Sequence, residues 1–279
     1  ATIDRKSGLF DPGEVTAERL KMWSWSGVAQ GARGVLYWQY RNESFGLEYG
    51  FGLTELDGSP HARLEAVRDF HRILKDHEEF LDGAAPAPAE IAIAWDPVND
   101  IVNWTAVGCT DAVKNSIKGL HKVLWHGDYP VDVARLDLDV VDDDLTPYRV
   151  VYLPFSPRIS AASAMKLRQY VEGGGTLVAV ASAAQFDDTM RVTTVVPGQG
   201  LAELFGCRRA DVRTMPAARI PALRVGRRKI PARMHKEILA PADGAKVLGT
   251  FATGEPAVVE NRVGKGKAIY IGTNVFMAY

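Results

Sequence analysis

Gly34-Val35-Leu36-Tyr37-Trp38-Gln39-Tyr40-Arg41 is a short apolar run that breaks into tryptophan, glutamine, tyrosine and arginine. Bounded by Gly34 and by the polar Arg41-Asn42-Glu43-Ser44, it reads as a buried parallel strand. Alternation along a strand sends Tyr37 and Trp38 to opposite sides, so that one packs while the other is presented. Upstream, Asp11-Pro12-Gly13-Glu14 predicts a helix start, and Leu20, Trp23, Gly27 and Val28 recur at helical steps as far as Ala32. Downstream, a polar loop carries Glu48, and Ser59 predicts an N-cap with Pro60 at the first helical position. Leu64, Val67, Phe70, Ile73, Leu74, Phe80 and Leu81 then form the stripe of one long helix. The order up to Asp82 is therefore loop, helix, strand, loop, long helix.

Gly83-Ala84-Ala85-Pro86-Ala87-Pro88-Ala89 cannot continue a helix and predicts a stiff linker, with a first domain over 1–82 and a second over 90–279. In the second, strands are predicted at Ile91–Trp95, Val131–Ala134, Val150–Pro154 and Thr176–Val180. Helices are predicted over Ala112–Trp125 and from Ser160 to the Gly173-Gly174-Gly175 stop. Strands alternating with helices of this length imply parallel pairing with right-handed crossovers, an open doubly wound sheet. Beyond Phe186 the pattern loosens, then recovers strand character at Ala257–Val259 and Ala268–Ile271, with a hairpin turn at Gly264-Lys265-Gly266-Lys267.

The chain has 279 residues, 47% of them hydrophobic, enough for about two domains with substantial cores. Its 33 basic and 34 acidic side chains leave a net charge of -1, so no global field selects nucleic acid or an anionic membrane. The arginines between Arg208 and Arg233 lack interleaved aromatics and read as a solvated face or a flexible insertion. Cys109 and Cys207 fit no metal spacing and no disulfide framework, and no apolar run approaches the ~20 residues of a membrane span. Reduced thiols suit a cytoplasmic protein. His71 with His77, and His121 with His126, are not spaced to share one helix face, and no metal is expected. Gly173-Gly174-Gly175 ends a helix and enters a strand, the reverse of a phosphate-binding turn.

The order of Trp23 and Trp25, Gln30-Gly31-Ala32-Arg33-Gly34, Trp38-Gln39-Tyr40-Arg41, Gly46-Leu47-Glu48 and Gly52-Leu53-Thr54-Glu55 resembles the last turns of the catalytic barrel in family 42 glycoside hydrolases, the bacterial β-galactosidases. The resemblance implies an α/β fold: the C-terminal remnant of a (β/α)8 TIM barrel, followed by a flavodoxin-like domain similar to class I glutamine amidotransferases. Residues 90–279 would be the trimerisation domain. Barrel active sites lie at the C-terminal ends of strands, so the resemblance makes Glu48, Trp38, Arg41 and Phe51 substrate-binding residues, Glu48 accepting from a galactose hydroxyl. Phe51 stands where many members carry histidine. A retaining glycosidase needs two carboxyl groups about 5 Å apart. The resemblance places both on barrel strands outside this chain, so no catalytic residue is assigned and the chain alone is expected to be inactive.

The partners so implied are a galactoside and two further copies of the chain, with no cofactor, nucleic acid or membrane. Amidotransferase chemistry is not expected, because the turn after the third strand reads Leu153-Pro154-Phe155-Ser156-Pro157 and holds no cysteine. The competing reading is a non-catalytic flavodoxin-like module for assembly or ligand binding with an N-terminal helical appendage.

Overall fold

The computed structural model describes residues 15–44, 51–137, 141–142, 144–214, 216 and 219–278. The chain divides into two compact units, Ala1–Ala87 and Pro88–Tyr279. The expected helix start at Asp11 to Glu14 and the loop acid Glu48 lie outside the described residues.

In the first unit α1 (Ala17–Ala29) starts at Thr16, whose hydroxyl accepts from Arg19 N at 3.3 Å. The long helix expected up to Leu81 is two helices, α2 (Ala62–Asp76) and α3 (Glu78–Gly83), broken at His77. The cap of α2 also differs from expectation. Ser59 is held back by Asp57 Oδ1, which takes its N–H at 2.9 Å and its hydroxyl at 2.6 Å. Pro60 bridges antiparallel to Thr54, and His61 Nδ1 caps the helix by accepting from Arg63 N at 3.1 Å. Leu20, Leu53, Leu64 and Val67 form the core, with Tyr37 packed on it.

The second unit is built on one ten-stranded sheet. Its strands are β1 (Ile91–Trp95), β2 (Val131–Asp137), β3 (Val141–Asp142), β4 (Val150–Leu153) and β5 (Thr176–Val180), followed, after an excursion, by β7 (Leu223–Val225), β8 (Arg228–Ile230), β10 (Lys246–Phe251), β11 (Pro256–Val263) and β12 (Gly266–Ile271). The order is β3-β2-β1-β4-β5-β12-β11-β10-β7-β8. Within it β2-β1-β4-β5-β12 pair in parallel, which is the 2-1-3-4-5 order of flavodoxin-like sheets. Helices α4 (Val98–Val107), α5 (Asp111–His126), α6 (Ala161–Gly173) and α7 (Leu201–Phe205) lie between strands. Ser160 caps α6 as the sequence predicts, its Oγ accepting from Ser163 N at 3.0 Å. Val263 pairs with Gly266 across the expected turn, where Gly264 takes φ +57°.

The excursion after Phe186 supplies β6 (Cys207–Thr214) and β9 (His235–Pro241), a separate antiparallel ribbon. A buried charge ties this ribbon to the main sheet. Glu237 of β9 has no exposed surface, and its Oε1 accepts from Arg209 of β6 at 3.1 Å and from Ser182 N, just past β5, at 3.0 Å. Its Oε2 accepts from the Tyr270 hydroxyl of β12 at 2.8 Å. Burial, then the Glu237 charge, raise the Tyr270 phenol well above its ordinary range, so it remains a donor.

Candidate sugar-binding face

Residues 34–44 are extended, but they are not the buried parallel strand that the sequence suggests. Leu36, Trp38 and Tyr40 are 94%, 54% and 62% exposed, while Val35, Tyr37 and Gln39 between them are half-buried. This is the period-two alternation of a strand with one face covered. A buried parallel strand would have strand neighbours, yet among the described residues no parallel strand lies beside it.

The covered face is fixed to α1. Ser24 Oγ donates to Leu20 O at 2.9 Å, so its single proton is used and the Tyr37 hydroxyl, 2.8 Å away, is the donor between them. Tyr37 is therefore the packing ring, and Trp38 is the presented one. The Trp38–Gln39 peptide is cis.

Asn42 then clamps the returning chain against this segment. Its Nδ2 donates to Thr54 O and its Oδ1 accepts from Gly52 N, both at 2.7 Å. Leu53 N donates to Gln39 O at 2.8 Å and Gln39 N to Phe51 O at 3.3 Å. A side chain at Gly52 would run into the Asn42 backbone and amide, so the clamp needs glycine there. In the sequence Asn42 is only part of a polar boundary; its role depends on a partner ten residues away.

The structure thus places Trp38 and Arg41 on the open side and Phe51 inside, only 8% exposed. Arg41, Asn42, Glu43, Ser44 and Leu56 line an open hollow of about 790 Å³. Chemically the segment offers two broad exposed rings, Trp38 and Tyr40, and, lining the hollow that follows, Arg41 and Glu43. That combination suits a ligand with flat apolar faces and many hydroxyls.

In the second unit, open α/β sheets of this order bind ligands beyond the carboxyl ends of strands where the winding reverses, here between β1 and β4. That crevice is occupied by protein groups. Arg158 meets Asp96 at 3.1 Å, both nearly buried, and Asn99 exchanges hydrogen bonds with the Arg158 backbone at 2.8 and 3.0 Å. Ser156, on the turn that carries the nucleophile in amidotransferases, is buried, and Ala184 N donates to its carbonyl. Burial, then the Glu237 charge, push the Cys207 thiol up to about 12, so it is no nucleophile at neutral pH.

The fold and this face define a two-unit α/β protein, an aromatic-lined helical unit followed by a flavodoxin-like sheet domain. Residues 13–77 match the family model described as β-galactosidase, and residues 89–278 the model described as β-galactosidase trimerisation domain. The chain belongs to this family, the family 42 β-galactosidases. β-Galactosidase bgaB of Geobacillus kaustophilus is 27% identical over 268 residues, which cover 91% of this chain and 38% of that relative. β-Galactosidase LacZ of Heyndrickxia coagulans is 26% identical over 267 residues, with the same two coverages. A catalytic mutant of a GH42 β-galactosidase from G. stearothermophilus has the same fold, with a TM-score of 0.79 at 23% identity, covering 93% of this chain and 38% of that one. The chain thus spans 38% of the length of these two curated relatives. Among the described residues no helix is long and apolar enough to cross a membrane.

Proposed function

We propose that the chain serves a β-galactosidase that removes terminal β-linked galactose by retaining double displacement, with both catalytic carboxylates supplied from outside these 279 residues. The observation that carries this reading is the pair of family matches in succession, catalytic family first and trimerisation domain second. The exposed row of Leu36, Trp38 and Tyr40 supports it, since an extended segment with one largely exposed apolar face suits the wall of a larger barrel. In this reading the first unit closes the barrel and forms one wall of the sugar site. Trp38 stacks on the sugar, Arg41 and Glu48 bind its hydroxyls, and Phe51, 8% exposed, supports the site from within. Residues 90–279 assemble the enzyme as a homotrimer, and the free thiols Cys109 and Cys207 suit a cytoplasmic setting.

The test is hydrolysis of a nitrophenyl galactoside. The isolated chain is expected to give none above background. In a longer protein that carries both carboxylates, Glu48→Ala is expected to lower kcat/KM about ten- to a hundredfold, the ~1.5–3 kcal/mol of a charge-assisted hydrogen bond. Robust turnover by the isolated chain, abolished by Glu48→Ala, would overturn the assignment of the carboxylates; unchanged kcat/KM would remove Glu48 from the sugar site.

A further inference from the structure

The hairpin at the β8 edge of the ten-stranded sheet is built against its own electrostatics. Arg224 of β7 pairs directly across from Lys229 of β8, Val225 pairs with Arg228, and Arg227 stands in the turn between the strands. Residues directly opposite on antiparallel strands hold their Cβ atoms about 5 Å apart, so like charges at such positions repel. All four cations are exposed, and none forms an ion pair among the described residues.

Nothing nearby in the chain relieves this repulsion. Along the row that holds the pair, the next two strands contribute Thr250 of β10 and Pro256 of β11. From Val212 to Lys236 the sequence has eight lysines and arginines, no aspartate or glutamate, and no phenylalanine, tyrosine or tryptophan. Leu223, Val225 and Ile230 pack with Phe251, Ala257 and Val258 in one apolar cluster, so the charges stand on a fixed support. A local rule broken without compensation inside the fold marks a place shaped for a group outside it.

That group is anionic and repeated, since it must meet four cations. Three of the four are arginines, whose planar forks match carboxylates. The lack of rings removes the stacking on which single-stranded nucleic acid relies. A duplex major groove admits a two-stranded ribbon, but β7 is joined along its other edge to β10 and belongs to a broad sheet. The turn Gly226-Arg227 carries no apolar residue to enter a bilayer. A chain of sugars that bears carboxylates meets the cations without rings, groove or apolar tip.

We propose that the β7–β8 hairpin binds an acidic glycan, with carboxylates lying across Arg224 and Lys229 and on to Arg227 and Arg228. This rests on the galactoside reading above, which makes a glycan the polymer at hand, and adds that the polymer carries uronic acids.

The experiment is affinity electrophoresis of the full chain through gels containing polygalacturonate, at low and high salt. Wild type is expected to be retarded at low salt and released at high salt. Each exposed ion pair contributes up to about a fivefold gain, so Arg224→Gln with Lys229→Gln should weaken binding about tenfold. Lys114→Gln with Lys118→Gln removes the same charge from exposed positions of α5 and should leave binding unchanged. The urea midpoint of the hairpin variant should not fall, because a repulsive pair has been removed; a lower midpoint would give the pair a structural role and overturn the argument. Absence of retardation, or an equal loss in the α5 variant, would overturn the site. Tighter binding to a DNA duplex or to phosphatidylserine vesicles than to polygalacturonate at the same salt would overturn the glycan. A nitrophenyl galactoside carries no carboxylate, so its hydrolysis and this binding fail separately.

Discussion

Glu237 shows how a single residue can organise a unit without advertising itself in the sequence. Its carboxylate is fully buried, but Arg209, Ser182 N and the Tyr270 hydroxyl all donate to it, so desolvation is offset by a positive partner and two further hydrogen bonds. Removing one member of such a set strands the other charge in a poorly solvated place. Glu237→Ala is therefore expected to destabilise the second unit by about 3–5 kcal/mol. Breaking the exposed Arg213–Asp211 pair by Arg213→Ala should cost under about 1 kcal/mol. Urea midpoints decide this, and a smaller shift for Glu237→Ala than for Arg213→Ala would show that the buried cluster adds nothing. The partners stand 28, 33 and 55 residues away, which is why no local pattern reveals them. The proposed sugar-binding face was more legible, because ring stacking and hydrogen bonding to hydroxyls are capacities of tryptophan and arginine side chains themselves. Which ring faces out and how Asn42 sets the return of the chain depend on the neighbouring α1 and on Thr54, information that residue type does not carry.

At the scale of elements, α5, α6 and the β11–β12 hairpin were readable because each is specified locally, by a helical apolar stripe, by the Ser160 cap and by the glycine turn. The ribbon β6–β9 was not, since twenty residues separate its strands and their pairing is non-local. The strand expected at Val35–Tyr40 failed for a related reason: an apolar run specifies extension, whereas pairing requires neighbours. Lys236 of β9 and Glu255, just before β11, form another non-local link. The Lys236 ammonium, 3% exposed, donates to Glu255 Oε1 at 2.7 Å and to Thr253 Oγ1 at 2.8 Å. The hydrogen bond from Lys236, then that from Thr253, hold the Glu255 carboxyl at about 2, against an ordinary 4.5. Because the folded value is the lower one, the link stabilises fully above pH 4.5 and is lost as the pH falls from there towards 2. Glu255→Gln should therefore make stability fall less steeply than in wild type across that window. Parallel curves of urea midpoint against pH would show that Glu255 does not couple this link to acid.

At the scale of the whole molecule, the two units are unequally supplied with cover. The second covers both faces of its parallel strands with separate cores, one holding Ala92, Val151, Leu177 and Tyr270 and the other Ile93, Leu120 and Leu124. The first gathers Leu20, Leu53, Leu64 and Val67 under Tyr37, while Leu36, Trp38, Tyr40 and Phe80 remain exposed. Marginal stability is the difference between large opposing terms, so the unit with less buried apolar surface per ordered residue should open first. The segment from Gly83 to Pro88 is exposed, and Arg33 grips only its beginning, through the carbonyls of Leu81, Asp82 and Ala84. In the isolated chain at low concentration, amide hydrogen exchange should lose protection across Ala17–Asp76 at lower urea than across Thr176–Val180 and Gly266–Ile271. A protease that cleaves after small residues should cut first between Gly83 and Ala89, leaving a resistant fragment that begins close to Glu90. If exchange in both sets of segments collapses at one urea concentration, the first unit is a full partner in a single cooperative structure, and its exposed aromatic row calls for an explanation other than the proposed barrel wall.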